Sequence, residues 1–280
     1  MLGGRNTRGN LMSGPSFKRL TGIPIASFRA RGSARVVAFF TEEEGQVRAA
    51  VRAGSKRSGG LVPSLPSCST FDLLLSKTGA RRDLFDLRER EVRALRPNLA
   101  KGEPLAAWAA ASVEAELILK TTEIQHPEPY LYRMFEKSLD CLEAGAPPRA
   151  LLIAFLAKYL ERSGHGPRLD RAVDGGPLPA GSPWLFDIRA GGILPSGQGN
   201  SPGIEVAEGR RAFPITREAL DTLKKFRLAV FERLGETPLS PRAGRLLVEL
   251  FAACIEIHLE TRLKSLDFWR ETVEGKGAEA

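Results

Sequence analysis

The side chains able to carry chemistry are few and far apart. The three histidines are His126, His165 and His258, and the three cysteines are Cys68, Cys141 and Cys254. No two cysteines have the CxxC spacing of a zinc or redox pair, and no HExxH is present. His258 falls on the apolar stripe of Leu247, Phe251 and Cys254 and reads as a core or rim histidine. Cys141 and Cys254 sit on apolar helix faces, and no cysteine has a base beside it in the sequence, so all three read as inert thiols. Gly54-Ser55-Lys56 lacks the Gly-x4-Gly-Lys-Ser/Thr spacing of a phosphate loop. Glu42, Glu43 and Glu44 read as a solvated hairpin tip rather than a metal site. No enzymatic activity, cofactor or metal is expected, although an acid/base pair assembled from unlinked positions stays open.

The basic residues are the informative set. Arg29, Arg31 and Arg35 flank the first strand-like runs, and Arg48 and Arg52 share one face of QVRAAVR because a spacing of four is even in a strand. Lys56 and Arg57 follow in a Gly/Ser loop, and Arg81 and Arg82 fall in a second loop. No acid lies between Gly45 and Asp72. Residues 1–60 hold 11 of the 41 Lys and Arg but only 3 of the 33 acids, so the rest of the chain, with 30 of each, is neutral. A basic block on a neutral body points to a polyanion handled by the N-terminal region. These nine residues are the candidate polyanion-binding set. A solubility tail or an organelle-targeting peptide would also be basic, but Gly3, Gly4, Gly9, Gly14 and Pro15 interrupt any amphipathic helix there.

At 280 residues with 42% hydrophobic side chains, the chain can bury a core without disulfides or metal. Sparse cysteines favour a reducing cytoplasm. No apolar window is long enough to span a membrane, and no signal-peptide segment opens the chain.

Two regimes meet at Arg96-Pro97-Asn98. Residues 1–16 are Gly-rich and polar, and a disordered lead-in is expected there. From Thr21 the text is β-like: Ile23, Ile25 and Phe28, then RVVAFF, then the alternating QVRAAVR, with TEEEG as a hairpin turn using Gly45. Phe71–Leu75 and Leu84–Leu95 complete about five strands over 17–97, which is a small antiparallel barrel. After Pro97, over 98–280, the period is helical. One helix runs from Pro104 to about Ile124, another from about Pro127 to Gly145, and a third from Pro147-Pro148 to Gly164. Thr216 and Ser240-Pro241 begin two more, the first expected to carry Leu220, Leu223, Val230 and Phe231. Residues 165–214 hold ten Gly and seven Pro, a long irregular insertion. Glu116 and Arg227 lie on apolar helix faces, so each is expected to have a buried or half-buried partner, including the option of each other, or else to snorkel.

Several segments in this order resemble the bacterial RecO family of recombinational repair proteins. AFFTEEEGQVRAAVRAGSKRSGGLVPSL (38–65) resembles that family's strand, turn, strand and basic loop. YRMFEKSLDCLEAGAPPRALLIAFLAKYL (132–160) is similar to its central helix pair, and SGHGPRLDR (163–171) to its L-D-R signature with His165 in an aromatic slot. GGIL (191–194) and HLETRLKSLDF (258–268) also fit. The resemblance implies an α+β chain: an N-terminal OB-fold, a helical domain and no enzymatic activity. It implies binding to single- and double-stranded DNA, annealing of complementary strands, and work with RecR and single-stranded-DNA-binding protein to load RecA in the RecF pathway, in the cytoplasm at the nucleoid. The alternative is a protein-interaction adaptor whose helical domain docks partners. Single-strand grooves stack bases on aromatics, but Phe28, Phe39, Phe40 and Phe71 read as barrel core and none is assigned that role. Many family members carry two CxxC pairs around the insertion. Here those positions are Ala172 and Gly175, then about Pro195 and Gln198, so a zinc ribbon, and zinc itself, is not expected.

Overall fold

Apolar–polar alternation along the first third of the chain builds five strands: β1 (Ser16–Arg29), β2 (Arg35–Thr41), β3 (Gly45–Val51), β4 (Thr70–Lys77) and β5 (Phe85–Ala94). The computed structural model describes residues 16–30, 35–51, 65, 67–77, 83–195 and 212–275. The strands close into a barrel in the order β1-β2-β3-β5-β4, antiparallel except for a short parallel contact of Ala49 with Phe85 and Ala50 with Asp86. That order is an OB-fold. Its interior holds Leu20, Val37, Phe39, Val47, Phe71, Leu73, Leu75 and Phe85. β1 begins at Ser16, earlier than the β-like text at Thr21, and the rest of the expected lead-in lies outside the described residues.

The TEEEG turn forms as its residues dictate. The Thr41 hydroxyl donates to the Gly45 carbonyl at 2.8 Å, and Gly45 has a φ of +65°, the left-handed region where a side chain is strained. Gly45 is also where the helical body touches the hairpin. A Cβ there would stand 1.9 Å from the His126 carbonyl oxygen. Beside it, the Gln125 amide donates to the Gln46 carbonyl at 2.8 Å, and Gln46 Nε2 donates to the Leu119 carbonyl at 3.0 Å.

The helical body comprises α1 (Pro97–Lys101), α2 (Leu105–Thr121), α3 (Pro129–Glu143), α4 (Pro148–Arg162), α5 (Arg217–Leu228), α6 (Pro241–His258) and α7 (Lys264–Trp269). Prolines open α1, α3, α4 and α6, where the missing N–H would have had no partner. Thr216 and Ser240 cap α5 and α6 by accepting from the amides three residues on, each at 3.2 Å. Leu151 to Ala157 of α4 are fully buried all round, so α4 is the central rod, packed by α2, α3, α5 and α6. Ile23 and Phe40, on the outside of the barrel, belong to this same core, with the Phe40 ring 6.0 Å from that of Tyr132.

Arg96 fastens the junction. Only 2% of its side chain is exposed. Its Nε donates to Asp140 of α3 at 2.8 Å, while Nη1 donates to the Cys68 carbonyl at 2.7 Å and to Thr70 at 3.1 Å. One guanidinium thus ties β4 to α3, a geometry its planar fork allows and a lysine does not.

Two departures from the sequence reading have clear causes. The stripe expected to run from Leu220 to Phe231 breaks: α5 stops at Leu228, Ala229 and Val230 are extended, and a 3-10 turn covers Phe231–Glu236. Phe231 is buried by that turn, whereas Val230 points outward. Within the insertion, four short strands pair in the order β6-β8-β7-β9, namely β6 (Arg168–Ala172), β7 (Trp184–Asp187), β8 (Gly192–Ile193) and β9 (Ala212–Ile215). Strands of two to five residues are too short for a period to register in a Gly/Pro-rich text.

Candidate nucleic-acid interface

The outer face of β1, β2 and β3 is divided in two. Its lower rows carry Ile23, Phe40 and Gln46, which the helical body covers. Its upper row, Phe28 opposite Val36 opposite Ala50, is open, and Phe28 is 45% exposed. Arg48 stands between the two, opposite buried Ala38, with its own side chain in solvent.

Of the nine candidate DNA-binding residues, three lie on described strands. Arg29 and Arg35 are direct cross-strand partners at the open end of the β1–β2 pair. They continue the row that carries Val37 lower down, whereas Arg48 belongs to the outward row. The three therefore ring the Phe28–Val36–Ala50 row without sharing one pleat face. None of them has a carboxylate partner among the described residues. Arg31, Arg52, Lys56, Arg57, Arg81 and Arg82 lie outside the described residues.

The opposite wall of the barrel has another character. Arg19, Leu74 and Glu89 form one outward row on β1, β4 and β5, and Thr21, Asp72 and Glu91 form the next. Glu43 reaches over to accept the Thr21 amide at 3.0 Å, and Arg93 bonds Thr21 and lies 3.7 Å from Asp72. Its groove, of about 480 Å³, is lined by four acids and two arginines, so phosphate is repelled there.

The remaining chemical candidates are accounted for by packing. Burial pushes the thiols of Cys68 and Cys254 up to about 12 and raises that of Cys141, so none is a thiolate at neutral pH. His258 bonds the Ile188 carbonyl at 2.6 Å and stacks on His165 with ring centroids 4.7 Å apart. Glu116 and Arg227 do have partners, though not each other. Glu116 pairs with Lys120 at 2.8 Å and accepts from the amides of Lys264 and Ser265 at the start of α7. Burial works to raise its pKa, but these donors outweigh it and hold the carboxyl below its ordinary range. Arg227 bonds Glu161 at 2.9 Å and the Pro167 carbonyl at 3.2 Å.

Glu114 was overlooked by the sequence reading. It is fully buried between α2 and α3, with one oxygen accepting from the Ser138 hydroxyl at 2.8 Å and the other without a partner. Burial raises its pKa well above the carboxylate range, against the smaller opposing effect of Ser138. The signal was present: Ala110, Ala111, Leu117 and Ile118, one turn either side, are all apolar.

Comparison with known proteins decides the family. The family model described as "Recombination protein O C terminal" matches residues 103–267, which is α2 through most of α7. The chain belongs to the RecO family. A protein of Anaeromyxobacter sp. strain K named "DNA repair protein RecO" is 30% identical over 256 residues, spanning 90% of this chain and 96% of its own. Proteins of the same name from Exiguobacterium sibiricum and Pseudomonas paraeruginosa are 24% and 28% identical over 83% and 74% of this chain. Where many RecO proteins place their first cysteine pair, this member has a turn: the Gly175 amide donates to the Ala172 carbonyl at 2.9 Å, and the Val173 amide to the Ile193 carbonyl at 2.8 Å. Leu169, Ala172, Trp184, Phe186, Ile188, Ile193 and Ile215 are buried around it. Among the described residues no group of three or more His, Cys, Asp or Glu is placed to hold a metal, and no helix is long and apolar enough to cross a membrane.

Proposed function

We propose that this RecO-family chain acts in DNA repair as a non-enzymatic mediator that binds single- and double-stranded DNA and anneals complementary strands. Its partners in this reading are RecR and single-stranded-DNA-binding protein, and its product is RecA loaded onto the strand in the RecF pathway, in the cytoplasm at the nucleoid. The observation that supports it most is the open upper row of the OB barrel, ringed by Arg29, Arg35 and Arg48 with no described carboxylate to neutralise them. Cations without partners on a solvent face bind phosphates by releasing counterions, which gives affinity without sequence readout. A fluorescence titration with oligothymidylate at several salt concentrations tests it. Affinity should fall steeply with salt, with a log–log slope of about −0.7 per phosphate neutralised.

A second reading, an adaptor whose helical body docks partner proteins, is favoured by one feature. Where α5 breaks, Leu228 and Val230, two residues apart in the chain, are 83% and 56% exposed. Retention of a repair partner by a Leu228→Ser, Val230→Ser variant would count against that reading.

A further inference from the structure

The geometry points to Phe28 as the residue that stacks a base of the bound strand. This rests on the DNA-binding reading above and adds what the arginines cannot supply, a contact to the base rather than the phosphate.

Phe is among the side chains most often buried, and Phe39, Phe40, Phe71 and Phe85 in this barrel obey that rule with at most 1% exposure. Phe28 does not. It lies two residues past the bulge at Pro24–Ala26 and is directly paired with Val36. Val36 is paired with Ala50, and both are half-buried, so the three make a low apolar shelf across β1, β2 and β3. The strands of a sheet are about 4.8 Å apart, so a shelf across three of them spans about 10 Å, wide enough to seat a nucleobase. Beyond Ala50 the row ends at Asp86, which Arg88 holds at 3.7 Å.

The surroundings select the occupant. An apolar protein segment would need apolar neighbours to continue its contact, but the shelf meets Arg48 one row down on its own face, Asp86 at its far edge, and the Arg29–Arg35 pair at the open strand end on the other pleat face. A flat ring with one guanidinium on its own face and two more at the adjoining strand end suits a chain whose own rings alternate with negative charges, which is single-stranded nucleic acid. In a duplex the bases are stacked on one another and do not offer a free face, so Phe28 should favour single strands.

The test compares oligothymidylate with an abasic strand of the same length and phosphate count. The wild-type chain should bind oligothymidylate roughly tenfold more tightly, the effect of one stacked base. Phe28→Ala and Phe28→Leu should both lose that preference while keeping the salt slope, because no cation is removed. Phe28→Trp should keep the preference, and its indole emission should be quenched by oligothymidylate but not by the abasic strand. A Phe28→Ala variant that still prefers oligothymidylate as the wild type does overturns the inference and leaves the arginine groove standing. A wild-type chain that binds neither strand overturns both.

Discussion

Arg29 and Arg35 face each other directly across the β1–β2 pair, two cations in one register position. Like charges so placed oppose strand pairing by about 0.2–1 kcal/mol. Residues that weaken the fold where they stand are expected to serve a ligand. Replacing Arg35 with Thr, a good strand former, should therefore leave thermal stability unchanged or raise it by that amount, while weakening oligothymidylate binding severalfold. Melting curves and a parallel titration check this. A variant that melts lower and binds DNA as well as the wild type would assign the pair a structural role.

Glu114 makes stability depend on pH. The unfolded chain releases its proton near the ordinary carboxylate value of about 4.3, whereas the folded chain keeps it to higher pH. Above the unfolded value the folded state therefore binds more protons, and stability falls as pH rises, by about 1.4 kcal/mol per pH unit while folded Glu114 stays protonated. Glu114→Gln keeps an acceptor for Ser138 and carries no charge. It should be more stable than the wild type at pH 7.5, with the difference shrinking toward pH 5. Urea unfolding of both chains across that range measures it, and a pH-independent difference would contradict the assignment.

Gly45 is the position where a single methyl group separates barrel from body. Its positive φ and the 1.9 Å approach of the His126 carbonyl leave no room for a Cβ. Gly45→Ala should cost about 3 kcal/mol from strain and displacement together. It should also expose the Gln125 amide, which bonds the Gln46 carbonyl, to faster hydrogen exchange. Unchanged protection at Gln125 would show that the loop after α2 does not depend on this contact.

The insertion sheet is built from buried Leu169, Phe186, Ile188, Ile193 and Ile215 around the Ala172–Gly175 turn. Apolar packing there can hold the sheet without the four thiolates of a zinc ribbon. The purified chain should carry no stoichiometric zinc, and EDTA should leave its melting temperature unchanged. One tightly held zinc per chain would contradict this.

Much of the fold was legible because its signals are local. The TEEEG turn, the Thr216 and Ser240 caps and the prolines that open four helices each act within one turn of chain. The change from strand to helix at Arg96-Pro97 could be read from the change of period, but the burial of Arg96 could not, since its partners at Cys68, Thr70 and Asp140 are 26 to 44 residues away. Glu114 carried a local signal, and Glu116 drew attention in its place. Phe28 was assigned to the core on residue type alone. Its exposure follows from the bulge at Pro24–Ala26 and from how far the helical body extends up the barrel, which only the tertiary arrangement fixes.

The central claim is that the end of the β1–β2–β3 wall carrying Arg29, Arg35 and Arg48 binds the phosphates of a single strand. Its most direct test is the salt dependence of oligothymidylate affinity for the wild type and for a variant with all three arginines changed to Ala. The wild type should give a linear log–log plot with a slope of about −0.7 for each phosphate contacted. The variant should be weaker at every salt concentration and its slope shallower by up to about 2 units, with folding preserved because all three side chains are solvent-exposed. Equal affinity and equal slope for the two proteins would contradict the account and move DNA binding off this end of the wall.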